Sequence, residues 1–322
     1  MSKISGRLVI LLSIVWVLVL AGCSSGAGIE NSQTVPALEE RIKVVASIYP
    51  VYDFTKKVGG DKIEVSCLVP PGAEPHDWEP SPRDMVELQK ADVFIYCGAG
   101  MEQWVVKTLE ALDKPGLAKI DAGQNIQLLT GHDHHQDGHE EPDIANADPH
   151  IWVDPLNAVG MVDNINAGLV EADPANKSAY EHNAGQYRQQ ILELHQEYQD
   201  SLAGAKGKEF VTSHDAFGYL AQQYGLIQVP LRGLSPEAEP TPARMVDVVK
   251  MVREKEIKYI FFESLVSPKV SEVIAAETGV ETLVLNPVGG LTAEEIAAGK
   301  DYLSVMRENL VNLQKSFDIT PY

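Results

Sequence analysis

Three histidines stand in short, unusual segments: Pro75-His76-Asp77-Trp78-Glu79-Pro80, Asp148-Pro149-His150-Ile151-Trp152 and Ser213-His214-Asp215-Ala216-Phe217. A neutral imidazole offers one nitrogen lone pair to a borderline dication and is the commonest protein ligand for such ions. Three of them, brought from distant points of one chain into one cleft, would hold a divalent transition metal. The other histidines read differently. His182 and His195 lie 13 residues apart in a helical stretch, without a histidine at i,i+4, and belong to a solvated face. His132, His134, His135 and His139 crowd among Asp, Glu and Gly in the run from Gly131 to about residue 143. That run is too polar to pack and reads as a loop for weak, auxiliary metal capture.

The elements that must position the three imidazoles are short apolar strands alternating with helices, the pattern of a mainly parallel sheet covered on both faces. Strands are expected at Lys43–Ile48, Lys62–Val69, Asp92–Tyr96 and Leu117–Asp121, and again at Phe210–Thr212, Leu226–Val229, Tyr259–Phe262 and Thr282–Leu285. Ser81-Pro82 and Thr292-Ala293-Glu294-Glu295 announce helices by their caps, and Glu102–Leu112 continues one by its apolar spacing. In an open parallel sheet, ligands bind beyond the carboxyl ends of the strands. His76 follows such an end through Pro70-Pro71-Gly72, and His214 follows one directly. His150 sits in a loop whose backbone Pro149 and Pro155 restrict.

Between the halves, Lys177 to Leu202 contains no Pro, and Tyr180, Tyr187, Ile191, Leu194 and Tyr198 recur at helical spacing. One helix of about 26 residues would span near 39 Å at about 1.5 Å per residue, enough to brace two lobes. The expected organisation is a lobe over residues 41–175, a linker helix over 176–205 and a second lobe over 206–322. The fold class is two doubly wound α/β lobes joined by a single long helix, with the metal site in the cleft between them.

The ends and the composition restrict the partners. Lys3 and Arg7 precede an apolar run from Leu8 to Leu20 that is too short to span a membrane, followed by Ala21-Gly22-Cys23. This is the form of an export signal, and Leu20-Ala21-Gly22-Cys23 resembles a bacterial lipobox, which implies lipidation at Cys23 and a tether over residues 24–40. A net charge of -20 argues against nucleic acid. Cys67 and Cys97 fall on expected strands that flank a third, about 9 to 10 Å apart, too far for a disulfide.

Taken together, Leu20-Ala21-Gly22-Cys23, Pro75-His76-Asp77-Trp78-Glu79-Pro80, the acidic His-rich loop, Asp148-Pro149-His150-Ile151-Trp152, Ser213-His214-Asp215-Ala216-Phe217 and Phe261-Phe262-Glu263-Ser264 resemble the zinc/manganese ABC transporter substrate-binding lipoproteins. The resemblance runs from the lipobox nearly to the C-terminus. It implies a monomeric, membrane-anchored receptor outside the cytoplasm, on a cell surface or in a periplasm. Such a receptor hands its ion to a permease driven by an ATPase and performs no catalysis. His76, His150 and His214 match the family's imidazole ligands. Members specific for manganese usually carry Glu at the third position, so His214 points to Zn²⁺ over Mn²⁺, as a nitrogen-rich donor set does. Many members carry a carboxylate near the loop where this chain has neutral Asn286. The fourth position then falls to water, to a loop histidine or to Glu263, which could equally orient an imidazole, as could Asp77, Asp148 and Asp215. A zinc hydrolase or lyase, a manganese receptor and a surface adhesin are the competing functions.

Overall fold

The computed structural model describes residues 41–129 and 147–319. Cys23, the tether 24–40 and the histidines of the 131–143 loop lie outside the described residues. Strands β1 (Ile42–Ala46), β2 (Ile63–Cys67), β3 (Val93–Tyr96) and β4 (Ala118–Asp121) alternate with helices α1 (Tyr49–Gly59), α2 (Pro82–Lys90) and α3 (Val105–Leu112). Helices α4 (Pro155–Ala172) and α5 (Lys177–Leu202) lead to the second half. There β5 (Glu209–Thr212), α6 (Gly218–Tyr224), β6 (Ile227–Pro230), α7 (Pro242–Glu254), β7 (Tyr259–Phe262), α8 (Lys269–Thr278) and β8 (Glu281–Val284) repeat the scheme, and α9 (Ala293–Ala297) and α10 (Tyr302–Ser316) close the chain.

The two sheets are parallel and have the same topology, β2-β1-β3-β4 and β6-β5-β7-β8. Each sheet therefore has its order reversal beside its first strand, and ligand-binding loops gather at that switch point. The expected strands are found within one or two residues of their bounds. Helix α3 begins three residues later than its apolar pattern suggests. Glu102 turns back to accept from Ser47 Oγ at 2.5 Å and from the amides of Cys97 and Gly98 at 2.7 and 3.2 Å, so it serves the strand ends rather than a helical turn. Cys67, on β2, and Cys97, just past β3, are free thiols on either side of β1.

Helix α5 packs on α1 and α4 of the first lobe and on α6 and α10 of the second. Its inward face is Tyr180, Ala184, Tyr187, Ile191, Leu194, Tyr198 and Leu202, all buried, with steps of three and four that keep one stripe turned to the protein. Each large side chain so buried stabilises the fold by roughly 1.5–3 kcal/mol. Polar ends are satisfied across the same seam: Tyr187 Oη donates to Asp53 at 3.1 Å, and Tyr198 Oη donates to the Met306 carbonyl at 2.6 Å. One apolar cluster runs from Val44 and Phe54 through Trp152 and Ile191 to Phe217, Phe261 and Tyr302. The lobes thus share a core, which makes the cleft between them a constructed feature.

Candidate metal centre

Each imidazole is held by its own local device. His76 lies in the loop after β2, where Gly72, at φ +82°, takes a backbone conformation that disfavours a Cβ. The Gly72 amide donates across the cleft to the Leu291 carbonyl at 2.9 Å, and Trp78 packs edge-on against Trp104 to fix the far end of the loop. His150 precedes a short 3₁₀ turn, Ile151–Val153. Asp148 Oδ1 accepts from both its amide, at 3.0 Å, and its Nδ1, at 2.8 Å. The next aromatic, Trp152, donates from Nε1 to the Pro287 carbonyl at 2.6 Å and so ties this turn to the second lobe. His214 lies just past β5, its carbonyl held by Thr212 Oγ1 at 2.8 Å and Gln228 Nε2 at 3.0 Å. Its Nδ1 meets Glu263 Oε1, just past β7, at 2.5 Å, and Ser213 Oγ donates to the same oxygen.

The three outer nitrogens converge. His150 Nε2 lies 3.0 Å from His76 Nε2 and 3.3 Å from His214 Nε2, and one ligand atom from each ring lies within 4.8 Å of the others. With Nδ1 of His150 and of His214 donating to carboxylates, the neutral form of each ring presents its Nε2 lone pair inward. Donor atoms around a tetrahedral zinc, at about 2.0–2.1 Å each, are about 3.3 Å apart, so this spacing suits such an ion. The cavity behind them holds about 10 Å³. That is room for one water-sized particle and none for an organic substrate.

Electrostatics pull two of the rings in opposite directions. Burial, reinforced by the neighbouring His150 and His214, lowers the pKa of His76 to about 2, so its ring is neutral and available as a ligand. Burial would also lower His214, but the charge and hydrogen bond of Glu263 outweigh it and raise its pKa. Glu74, lining the same cavity, is pushed up to about 7 by burial. Three nitrogens, two of them backed by carboxylates, make a donor set that fits zinc better than the oxygen-preferring Mn²⁺.

The structure brings His76, His150 and His214 together and places Glu263 and Asp148 behind two of them. Asp77 is exposed, its charge felt at Glu74, while buried Asp215 acts on the Arg244 guanidinium. Asn286 is not a ligand position left vacant. Its Oδ1 accepts from the Val288 amide at 2.7 Å and its Nδ2 donates to Ser264 Oγ at 2.9 Å, so its amide shapes the loop. The sequence reading missed Glu74, whose only signal is its place two residues before His76 across a proline.

Two parallel-sheet α/β lobes with three imidazoles converging between them define the fold of the substrate-binding-protein class. The chain belongs to the ZnuA family, described as zinc-uptake complex component A, periplasmic, whose model matches residues 44–316. It is 41% identical over 285 residues to the zinc-binding lipoprotein AdcA of Streptococcus pneumoniae strain R6, a match covering 86% of this chain and 56% of that protein. The chain therefore spans little more than half the length of that relative. It is also 39% identical over 302 residues to the high-affinity zinc uptake system protein ZnuA of Bacillus subtilis, covering 93% of this chain and 94% of the relative. The crystal structure of the Zn(II)-bound ZnuA-like domain of Streptococcus pneumoniae AdcA superposes with a TM-score of 0.75 at 40% identity, covering 87% of this chain and all of that domain.

Proposed function

We propose that this chain is the extracytoplasmic receptor of a zinc uptake system. It binds Zn²⁺ through His76, His150 and His214 and passes it to an ABC permease powered by its ATPase. The observation that carries this reading is the convergence of three Nε2 atoms at ligand spacing, two of them presenting lone pairs by virtue of Asp148 and Glu263. The zinc named in the AdcA and ZnuA relatives, and the Zn(II)-bound neighbour, support zinc as the cargo. A lipid on Cys23 would hold the receptor, a monomer, at the outer face of the membrane. His132, His134, His135 and His139 would gather ions weakly.

A cavity of about 10 Å³ speaks against a hydrolase, which must place an organic substrate beside its metal-bound water. The deciding experiment is metal analysis of protein purified without added metal, followed by competition among Zn²⁺, Mn²⁺ and Fe²⁺. One tightly held zinc per chain is expected, displaced by neither competitor at equal concentration, and still one per chain when residues 131–141 are deleted. Preferential retention of manganese, or no tight ion at all, would overturn the reading.

A further inference from the structure

The two lobes repeat more than their topology. Asp77-Trp78-Glu79-Pro80-Ser81-Pro82-Arg83-Asp84-Met85-Val86-Glu87-Leu88 leads from β2 into α2. It matches, without a gap, Glu237-Ala238-Glu239-Pro240-Thr241-Pro242-Ala243-Arg244-Met245-Val246-Asp247-Val248, which leads from β6 into α7. Strands β2 and β6 are the corresponding edge strands of the two sheets.

Part of this likeness follows from folding. Ser81 and Thr241 cap their helices with a proline behind each, and Leu88 and Val248 are buried in the apolar clusters below. The rest does not. Glu79 and Glu239 are exposed, and among the described residues neither makes a hydrogen bond or an ion pair. Val86 and Val246 stand 53% and 66% exposed. One valine in water needs no explanation, but the same valine at the same place of a repeated surface does. Both stretches border the cleft. Glu79 follows His76 by three residues. The loop before Glu237 is tied to the strand end that carries His214: the Arg232 amide donates to the Ser213 carbonyl at 3.2 Å, and the Asp215 amide to the Gly233 carbonyl at 3.0 Å.

A single ion site gives no reason to build this surface twice. A partner with two equal halves does. Two copies of one chain offer the same contact twice, and a receptor laid across them must answer with the same chemistry from each lobe. Unpaired carboxylates on a chain of net charge -20 call for basic groups on that partner.

We propose that Glu79 and Glu239, each with the valine of its repeat, dock this chain across the twofold axis of a permease built from two identical subunits, each carboxylate meeting the same basic group. The proposal rests on the reading of the chain as a zinc-uptake receptor. It sets the mouth of the cleft over the axis, where an ion released between the lobes would enter.

The test uses the full chain loaded with Zn²⁺ and the permease–ATPase complex in liposomes, and reads the receptor concentration that gives half-maximal stimulation of ATP hydrolysis. Glu79→Lys and Glu239→Lys should each raise it about 5- to 30-fold, by similar factors, and the double variant by about their product. Zn²⁺ affinity against a chelating dye and the thermal unfolding midpoint should stay those of wild type. One basic-to-acidic change in the permease chain enters both halves at once, so it should restore the double variant and neither single one. A loss at one tip only, or at neither, overturns the proposal. So does a loss that tracks Zn²⁺ affinity, because the carboxylates then act through the ion site. Sedimentation in which the wild type pairs with itself and the double variant does not would assign the repeat to a dimer of this chain instead. If the wild type binds Zn²⁺ but does not stimulate the complex, the receptor reading itself falls and the docking with it.

Discussion

The two lobes carry the same device at the same topological position and put it to different use. Just past β1, Ser47 Oγ donates to Glu102, a carboxylate that follows β3. Just past β5, Ser213 Oγ donates to Glu263, which follows β7. In the first lobe the residue after the serine is Ile48, wholly buried in the core, and the amides of Cys97 and Gly98 take the rest of the carboxylate. In the second lobe the residue after the serine is His214, and its Nδ1 takes that place. A pair that joins two strand ends in one lobe orients an imidazole in the other, and the difference is one side chain. The chemistry of the cleft is thus added to a scaffold whose polar bookkeeping already closes without it.

The comparison is broken most directly by removing the added side chain. His214→Ala should lower Zn²⁺ affinity by orders of magnitude and leave Glu263 buried without its imidazole, whereas Ile48→Ala should cost about 2–5 kcal/mol of stability through the cavity it leaves, with affinity little changed. Calorimetric titration beside thermal unfolding separates the two outcomes. Equal losses of affinity would mean that the lobes contribute alike through overall packing.

Much of this was legible in the sequence, for physical reasons. Helix α5 is found at the expected residues, Lys177–Leu202, because a long amphipathic stripe without Pro admits no other regular structure. His76 and His214 stand out because they follow strand ends, and His150 because Pro149 and Pro155 restrict the loop that carries it. Legibility failed where a role depends on which way a side chain turns. Asp77 follows His76 in sequence but is exposed, because the chain turns there. Glu263 could be read as ligand or as orienting group until the direction of the His214 ring decided its contact. Glu74 could not be read at all, because the fold of the loop after β2 is what turns it into the cavity.

The next effect is smaller and sharpens the same contrast. Glu263→Gln should weaken Zn²⁺ binding by about 10- to 100-fold, since an amide no longer stabilises the His214 tautomer that aims its lone pair at the ion. Glu102→Gln should leave affinity within about threefold, because no imidazole depends on it. Competition with a chelator of known affinity reads both. A Glu102→Gln loss matching that of Glu263→Gln would show that the first lobe's pair also sets the cleft geometry.

The last effect concerns stability and pH, and it isolates the first lobe's pair. Burial raises the Glu102 pKa from 4.5 to about 7, although Ser47 and the two amides pull it back. A carboxyl with a higher pKa folded than unfolded binds more protons in the native state across that interval, so stability declines as pH rises from about 4.5 through 7. The penalty is absent below the unfolded value and fully present above the folded one. At about 1.36 kcal/mol per pKa unit, the whole interval is worth up to about 3 kcal/mol. Glu102→Gln removes this one titration while other buried carboxyls, Asp53 and Asp154 among them, keep theirs. The informative quantity is therefore the difference in unfolding free energy between variant and wild type, followed by denaturant titration on metal-free protein from pH 4.5 to 8. That difference should move in the variant's favour as pH rises. If it stays flat, Glu102 is ionised throughout the interval, and its serine and amides offset burial in full, as a carboxylate held by three donors can be.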